Sequence, residues 1–228
     1  MKSGLVITID GPSGAGKSTI AVELARRLGW SMLDTGSMYR VVTWAAITQL
    51  ADLNDPEALG RLAAELDARF DQGRVWVGTR EVSSEIRDPE ISRKSGFISK
   101  SQPVRQVLAV WQKREAAKQN IVTEGRDQGT IIFPDAIAKF FLTASDEERA
   151  RRRHRELLDK GHDISLEQVL ADQQERDRRD ELNALAPMKP ADDATVIDSS
   201  TLAFEEVLEL MLSHVQQRIG QKGTADEN

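Results

Sequence analysis

The spacing of apolar and polar residues divides this chain into short strands and longer helices. Residues 5–9 form a short, largely apolar run with β-branched members and lead into Asp10, the pattern of a buried parallel strand. A glycine-rich turn follows. A helical stretch then covers residues 18–28 and stops at Gly29. Residues 30–33 predict a second strand, and residues 37–50 a second helix. Asp55-Pro56-Glu57 reads as a cap, a proline at the first helical position and an acid in the first turn, so a helix should run to about Ala68. The texture then changes. Turn residues interrupt short alternating runs between Phe70 and Gly78, which predicts an antiparallel hairpin with residues 80–86 as a further strand. Between Pro103 and about Lys118, Val104, Val107, Leu108 and Trp111 share one helical face. Residues 121–123 and 138–142 are further strands. A very basic helix starts near Asp146 and breaks at Gly161-His162-Asp163. A polar helix over 165–179, a strand over 195–197 and a helix over 203–217 complete the series. Residues 221–228 read as a disordered tail.

Strands that alternate with helices predict an α/β fold with a parallel sheet, and ligands in such sheets sit at the carboxyl ends of the strands. Three polar stretches fall at such ends: residues 10–18, 34–40 and 124–130. The antiparallel region does not fit the alternation, so residues 35–100 read as an insertion into a core made of residues 1–34 and 101–220.

The bulk properties narrow the chemistry. The chain has 228 residues, enough for one core with small insertions. It has no cysteine, which excludes disulfides and Cys-ligated zinc. There are 31 Lys and Arg against 37 Asp and Glu, a net charge of -6, and an acidic chain is a poor binder of duplex nucleic acid. No apolar run is long enough to span a bilayer. The expectation is a soluble, cytoplasmic, monomeric protein that binds small nucleotides, with neither nucleic acid nor membrane as partner. His154, His162 and His214 are far apart and show no metal-ligand pattern. Trp44, Trp76 and Trp111 fit packing roles.

Gly11-Pro12-Ser13-Gly14-Ala15-Gly16-Lys17-Ser18 fits G-x-x-x-x-G-K-[ST] between a strand and a helix. In such a loop, backbone N–H groups converge on nucleotide phosphates. Lys17 adds a positive charge, the Ser18 hydroxyl can ligate Mg²⁺, and Thr19 completes an ATP-binding set. Markers of GTPases are missing. A kinase of small phosphorylated acceptors needs arginines to neutralise a second phosphate and the transferring group. Arg40 and Arg126 lie just past strand ends. Arg149, Arg151, Arg152, Arg153 and Arg155 crowd one helix, and Arg176, Arg178 and Arg179 another. For any one arginine of the 149–155 run, a solvated surface role is the alternative.

Further segments make the pattern specific: Leu33-Asp34-Thr35-Gly36-Ser37-Met38-Tyr39-Arg40, Glu85-Ile86-Arg87, Pro103-Val104-Arg105, Gly125-Arg126-Asp127-Gln128-Gly129-Thr130, Phe133-Pro134-Asp135-Ala136, Glu148-Arg149-Ala150 and Arg176-Asp177-Arg178-Arg179-Asp180. Together with the phosphate loop they resemble the cytidylate kinases across about residues 5–198. The resemblance implies a P-loop core with a five-stranded parallel sheet flanked by helices, a small α+β insertion that binds CMP, and a mobile lid over residues 149–163. It implies transfer of the γ-phosphate of ATP, with Mg²⁺, to CMP or dCMP. It further implies that Thr35, Tyr39, Arg40 and Arg126 attend the CMP phosphate and its surroundings. Arg105 and Asp127 read cytosine, Arg176 and Asp180 hold the ribose and nearby phosphate, and Arg152 and Arg153 act from the lid. Lys17, Arg126, Arg152 and Arg153 are then the catalytic set. The chemistry is coherent: cytosine offers an N4–H₂ donor to a carboxylate such as Asp127, and an Arg fork can donate to its O2 and N3. Two positions depart from the family pattern. Gly96, beside Ser95, stands where a serine is expected near the base, and Asn183 stands where an arginine is expected. The remaining alternatives are another small-acceptor kinase, of the UMP or shikimate type, and a nucleotide-binding module without transfer activity.

Overall fold

A computed structural model describes residues 4–71, 73–159 and 161–225, with side chains to Gln221 in the last helix. In chain order the elements are β1 (Val6–Asp10), α1 (Lys17–Leu28), β2 (Ser31–Asp34), α2 (Thr35–Thr48), α3 (Pro56–Glu65), β3 (Ala68–Asp71), β4 (Arg74–Val77), β5 (Arg80–Glu81), α4 (Pro89–Ile98), α5 (Gln102–Ala116), β6 (Ile121–Gly125), β7 (Ala138–Thr143), α6 (Asp146–Asp159), α7 (Leu166–Glu181), β8 (Thr195–Asp198) and α8 (Phe204–Ala225). A five-stranded sheet has the order β2-β6-β1-β7-β8, and β3-β4-β5 form a separate three-stranded antiparallel sheet. The pairs β1–β6, β1–β7 and β7–β8 are parallel. The fold is therefore the expected α/β core with a parallel sheet.

The chain divides into two compact units. One comprises Leu5–Trp30 and Ile121–Asn228, the other Met1–Gly4 and Ser31–Asn120. In the first, β1 is the central strand, and Ile7, Thr8 and Ile9 are wholly buried. Its neighbours β6 and β7 bury Ile121, Val122, Phe140 and Leu142 beside it. Such strands have no solvent face, which is why they read as continuous apolar runs rather than alternating ones. Helices α1 and α8 contact each other and the sheet, through Leu24 of α1 and Leu208 and Met211 of α8 among the buried residues. Among the described residues no helix is long and apolar enough to cross a membrane.

In the second unit, α3 packs on α5 and α2 on α4. Asp55 caps α3 by accepting from the Ala58 N–H at 2.9 Å, as its Asp-Pro-Glu start implies. The structure corrects several expectations. Helix α3 ends at Glu65, because Leu66 is extended (φ -72, ψ 115) and β3 begins at Ala68. The strand expected over 80–86 is only the pair Arg80–Glu81. Beyond it the Val75 N–H bonds the Ser83 hydroxyl at 3.0 Å instead of a backbone carbonyl, and Glu85–Arg87 coils into a 3₁₀ turn that buries Ile86. Helix α4 was not expected, although Asp88-Pro89-Glu90 repeats the start signal of α3; the Asp88 carboxylate accepts from the Glu90 N–H at 2.7 Å. The tail expected over 221–228 is helical as far as Ala225, and the rest lies outside the described residues. Trp111 is buried as expected, whereas Trp76 is half-buried, with the Arg69 guanidinium 4.3 Å from its ring centre.

The contact of α3 with α5 makes a prediction. Gly60 is buried mid-helix, and a Cβ placed there would lie 2.4 Å from Pro103 Cβ. Helix propensity alone favours alanine over glycine by roughly 1 kcal/mol. Overpacking should outweigh it, so Gly60→Ala is expected to destabilise the protein by about 1–3 kcal/mol in urea unfolding. A gain in stability would show that α5 moves away at little cost.

Candidate active site

The phosphate loop is built by the end of β1 and the start of α1. Gly11 leaves the strand at φ 142, so close to β7 that an added Cβ would lie 2.0 Å from the Leu142 carbonyl oxygen. Only glycine fits that approach. Helix α1 begins without a side-chain cap and without an acid in its first turn. Its first N–H groups and the positive end of its dipole are thus left for an outside anion.

Lys17, the first residue of α1, is buried, and its ammonium donates to the Pro12 carbonyl at 2.7 Å. Burial pushes its pKa down to about 7, and the nearby charges of Arg126 and Arg176 press the same way; Glu124 and Asp10 partly oppose them. Arg176, on α7, is accessible on one side yet surrounded by protein. Desolvation first, then Arg126 and also Arg153, holds its pKa below the usual guanidinium value. Three cations, from α1, the end of β6 and α7, therefore act on one another as like charges.

Acids and backbone groups hold these charges together. Asp10 ends β1 buried, and its carboxylate accepts from the Gln128 and Gly129 N–H groups at 2.9 and 2.7 Å. Burial raises its pKa to about 6; those two bonds lower it, and Asp127 adds to the rise. By this grip Asp10 anchors the loop after β6 that carries Arg126 and Asp127. Arg126 Nε donates to Asp180 Oδ2 at 2.8 Å, which fixes it against α7. Ser18 Oγ donates to Glu124 Oε1 at 3.1 Å. Asp10 and Glu124 were not among the expected site residues. The available signal was an apolar strand ending in an acid, since the β1–β6 register sets Glu124 opposite Ile9 and beside the phosphate loop.

The basic helix α6 sorts its arginines sharply. Arg151 is exposed and pairs with Glu148. Arg152 spends its fork elsewhere: Nη2 donates to the Ser199 carbonyl at 2.7 Å, Nη1 to Ser199 Oγ at 3.1 Å and Nε to Glu148 at 3.0 Å. Arg153 bonds Glu156 at 2.7 Å, and its charge also bears on Arg176. Of the two expected lid residues, the structure thus brings Arg153 towards Arg176 and ties Arg152 to the end of β8. Arg149 is buried and grips the phosphate loop itself.

The remaining expected residues lie in the other unit. Asp34 caps α2 through the Ser37 N–H at 3.0 Å, and Arg40 Nη2 donates to Asp34 Oδ2 at 3.0 Å and Ser37 Oγ at 2.8 Å. Buried Thr35 opens the same helix. Arg105 Nη1 donates to the Tyr39 hydroxyl at 3.1 Å, which joins α5 to α2. Gly96 is exposed on α4, and the neighbouring Ser95 hydroxyl turns back to the Ser92 carbonyl at 2.8 Å. In the first unit Asn183 Oδ1 accepts from the Leu185 N–H at 3.1 Å, so its amide shapes the turn after α7.

Comparison with known proteins identifies the family. The family model described as cytidylate kinase matches residues 7–217. A cytidylate kinase from Geobacter sp. (strain M21) is 45% identical over 224 residues, covering 96% of each chain. One from Shewanella pealeana is 44% identical over 220 residues, with 94% of this chain and 96% of the relative covered. One from Mannheimia succiniciproducens is 43% identical over 223 residues, covering 96% and 99%. Among solved structures, a gluconokinase from Sinorhizobium meliloti 1021 matches with a TM-score of 0.51 at 16% identity over the whole of both chains, a likeness of fold.

The depressed Lys17 pKa has a measurable consequence. Near pH 8 the ammonium is largely neutral in the nucleotide-free protein, because its pKa there is about 7. Bound phosphates stabilise the charged form and raise that pKa, so binding must take up protons. Titration calorimetry of ADP at pH 8, in buffers of different ionisation enthalpy, is expected to show uptake approaching about one proton, with affinity falling as pH rises above 7. Binding free of buffer dependence would mean that Lys17 is fully charged beforehand.

Proposed function

We propose that this chain, which belongs to the cytidylate kinase family, transfers the γ-phosphate of ATP to CMP or dCMP, giving ADP and CDP or dCDP. The observation that carries the reading is the mutual influence of the charges of Lys17, Arg126 and Arg176 beside the start of α1, which has no side-chain cap. Phosphoryl transfer spreads negative charge over the moving group and asks the protein mainly for positioning and fixed positive charge. Cations held close in advance supply that charge without rearrangement.

In this reading the backbone of residues 11–19 cradles the ATP phosphates, and Lys17 follows the charge as it moves. The donor set fits Mg²⁺: the Ser18 hydroxyl lies 3.1 Å from the Glu124 carboxylate, both hard oxygen ligands. Ser18 would hold the ion with the nucleotide phosphates, and when bound it supplies charge neutralisation. Arg126, already oriented by Asp180, and Arg176 receive the acceptor phosphate, and Asp180 also takes the ribose. Thr35, Tyr39 and Arg40 serve the same acceptor, while Arg105 and Asp127 read its base. Arg153 acts from the lid over residues 149–163. Arg152 joins it only if it gives up Ser199. The core of residues 1–34 and 101–220, the CMP-binding insertion of residues 35–100 and a cytoplasmic location belong to this proposal. The named relatives do not favour acceptors of the UMP or shikimate type.

The test is ADP release with ATP, Mg²⁺ and each nucleoside monophosphate in turn. CMP and dCMP should be the best acceptors, and Lys17→Ala should lose several orders of magnitude in rate. Asp127 disfavours UMP, whose O4 is an acceptor facing a carboxylate; such a mismatch costs roughly ten- to hundredfold. The Ser95 hydroxyl turns back to Ser92 and Asn183 Oδ1 is held by the Leu185 N–H, and neither residue offers the cationic fork of an arginine. The ratio of kcat/KM for CMP over UMP should therefore rise in a Gly96→Ser/Asn183→Arg variant. An unchanged ratio would show that other groups already supply the discrimination, and preference for UMP would end the cytidylate assignment.

A further inference from the structure

Outside the chemistry, the backbone of Ser13 in the phosphate loop is held at both its N–H and its carbonyl. Its N–H donates to Asp177 Oδ1 at 3.2 Å, and its carbonyl accepts from Arg149 Nη1 at 2.9 Å. The same Arg149 nitrogen pairs with Asp177 Oδ2. The two peptide groups that flank the Ser13 Cα are thus held by a single ion pair. Arg149 comes from the start of α6 and Asp177 from α7, and both are nine-tenths or more buried. The other donors of Arg149 tie this pair to the sheet: Nε donates to the Ala144 carbonyl at 3.0 Å, just past β7, and Nη2 pairs with Asp146. Gly14, the next residue, has no room for a side chain, since a Cβ there would lie 2.4 Å from Gln173 Nε2 and 3.0 Å from the Arg149 carbonyl oxygen. Gln173 Nε2 in turn donates to that carbonyl at 3.4 Å.

We infer that Arg149 and Asp177 form a latch by which α6 and α7 set the shape of the phosphate loop, so that they act as positioning residues for the ATP phosphates. The inference rests on the phosphate loop being the ATP site. Its chemistry is specific. A guanidinium fork can serve Ser13, Ala144, Asp177 and Asp146 together, whereas a lysine is a point charge without that geometry. A carboxylate holds both the Ser13 N–H and the guanidinium, while an asparagine keeps an acceptor but loses the charge. The latch also links the lid segment to the loop, since Arg149 opens the helix that carries Arg152 and Arg153.

The test measures ADP and CMP binding separately by calorimetry in Arg149→Lys, Asp177→Asn and the double variant. Losing a charge-assisted bond that shapes the loop should weaken ADP by about tenfold or more in each single variant. The double variant should be no weaker than the worse single one, because both changes break one device. In Arg149→Lys, which leaves Asp177 beside Arg176, CMP affinity should stay within about twofold of the native value, which a general loosening of the fold would not allow. Equal losses for ADP and CMP in that variant, or ADP affinity preserved in folded variants, would overturn the latch. Both variants alter a buried ion pair, so a second measurement uses the native protein. In hydrogen exchange of the nucleotide-free chain, the Ser13 amide should be as protected as the amides of α7. Exchange at the rate of an open loop would overturn the latch irrespective of the variants. A native chain that binds no ADP would instead refute the nucleotide reading and leave the Ser13 result to judge the latch.

Discussion

Holding Lys17, Arg126 and Arg176 near one another against their mutual repulsion is the constraint on which the rest of the site depends. Buried or crowded cations cost stability unless acids, backbone groups or a ligand compensate them. In this chain compensation is partial by construction. Asp10 and Glu124 oppose the depression of the Lys17 pKa without cancelling it, and Asp180 and Asp177 do the same for Arg176. The charge left over is what an incoming polyphosphate supplies. A site that is short of negative charge in the free protein binds strongly to the state in which most negative charge develops, and that state is the transferring phosphoryl group.

The fold meets this constraint with strand ends. Asp10, Glu124 and the loop with Arg126 all lie at the carboxyl ends of the parallel strands β1 and β6, where the apolar pattern stops and polar chain can turn freely. Buried Asp10 has two backbone N–H donors that fasten the loop after β6. Its raised pKa shows that even two such bonds do not fully repay its burial. On the far side, the Arg149–Asp177 pair holds Ser13, so the phosphate loop is secured by the sheet below and by α6 and α7 above.

Much of this was legible in the chain, for reasons that differ by element. The buried parallel strands were clear because both faces are apolar, and the phosphate loop because its glycines and Lys17 have a fixed spacing. Helix α4 carried the same Asp-Pro start as α3 but lacks a long apolar stripe, so it passed for loop. The strand after Arg80 was overextended because Val82 and Ile86 alternate correctly, although a single hydroxyl, Ser83, ends the ladder. Among site residues, Arg126 and Asp180 could be read from their motifs. Asp10, Arg149 and Asp177 lie within the matching segments and Glu124 just ahead of one, but their roles could not be read there, because these arise from contacts spanning many residues of sequence, such as Ser13 and Asp177 against Arg149. The fate of Arg152 was equally hidden, since Ser199 lies 47 residues away.

The central claim is most directly tested by titrating Lys17 itself. NMR of the ε-carbon of Lys17 in the nucleotide-free protein should give a midpoint of about 7. Replacing Arg126 with glutamine should raise that midpoint, since one like charge is removed while burial persists. A midpoint near the ordinary lysine value of about 10.4, unmoved by Arg126→Gln, would contradict the account, because the cations would then not share a field.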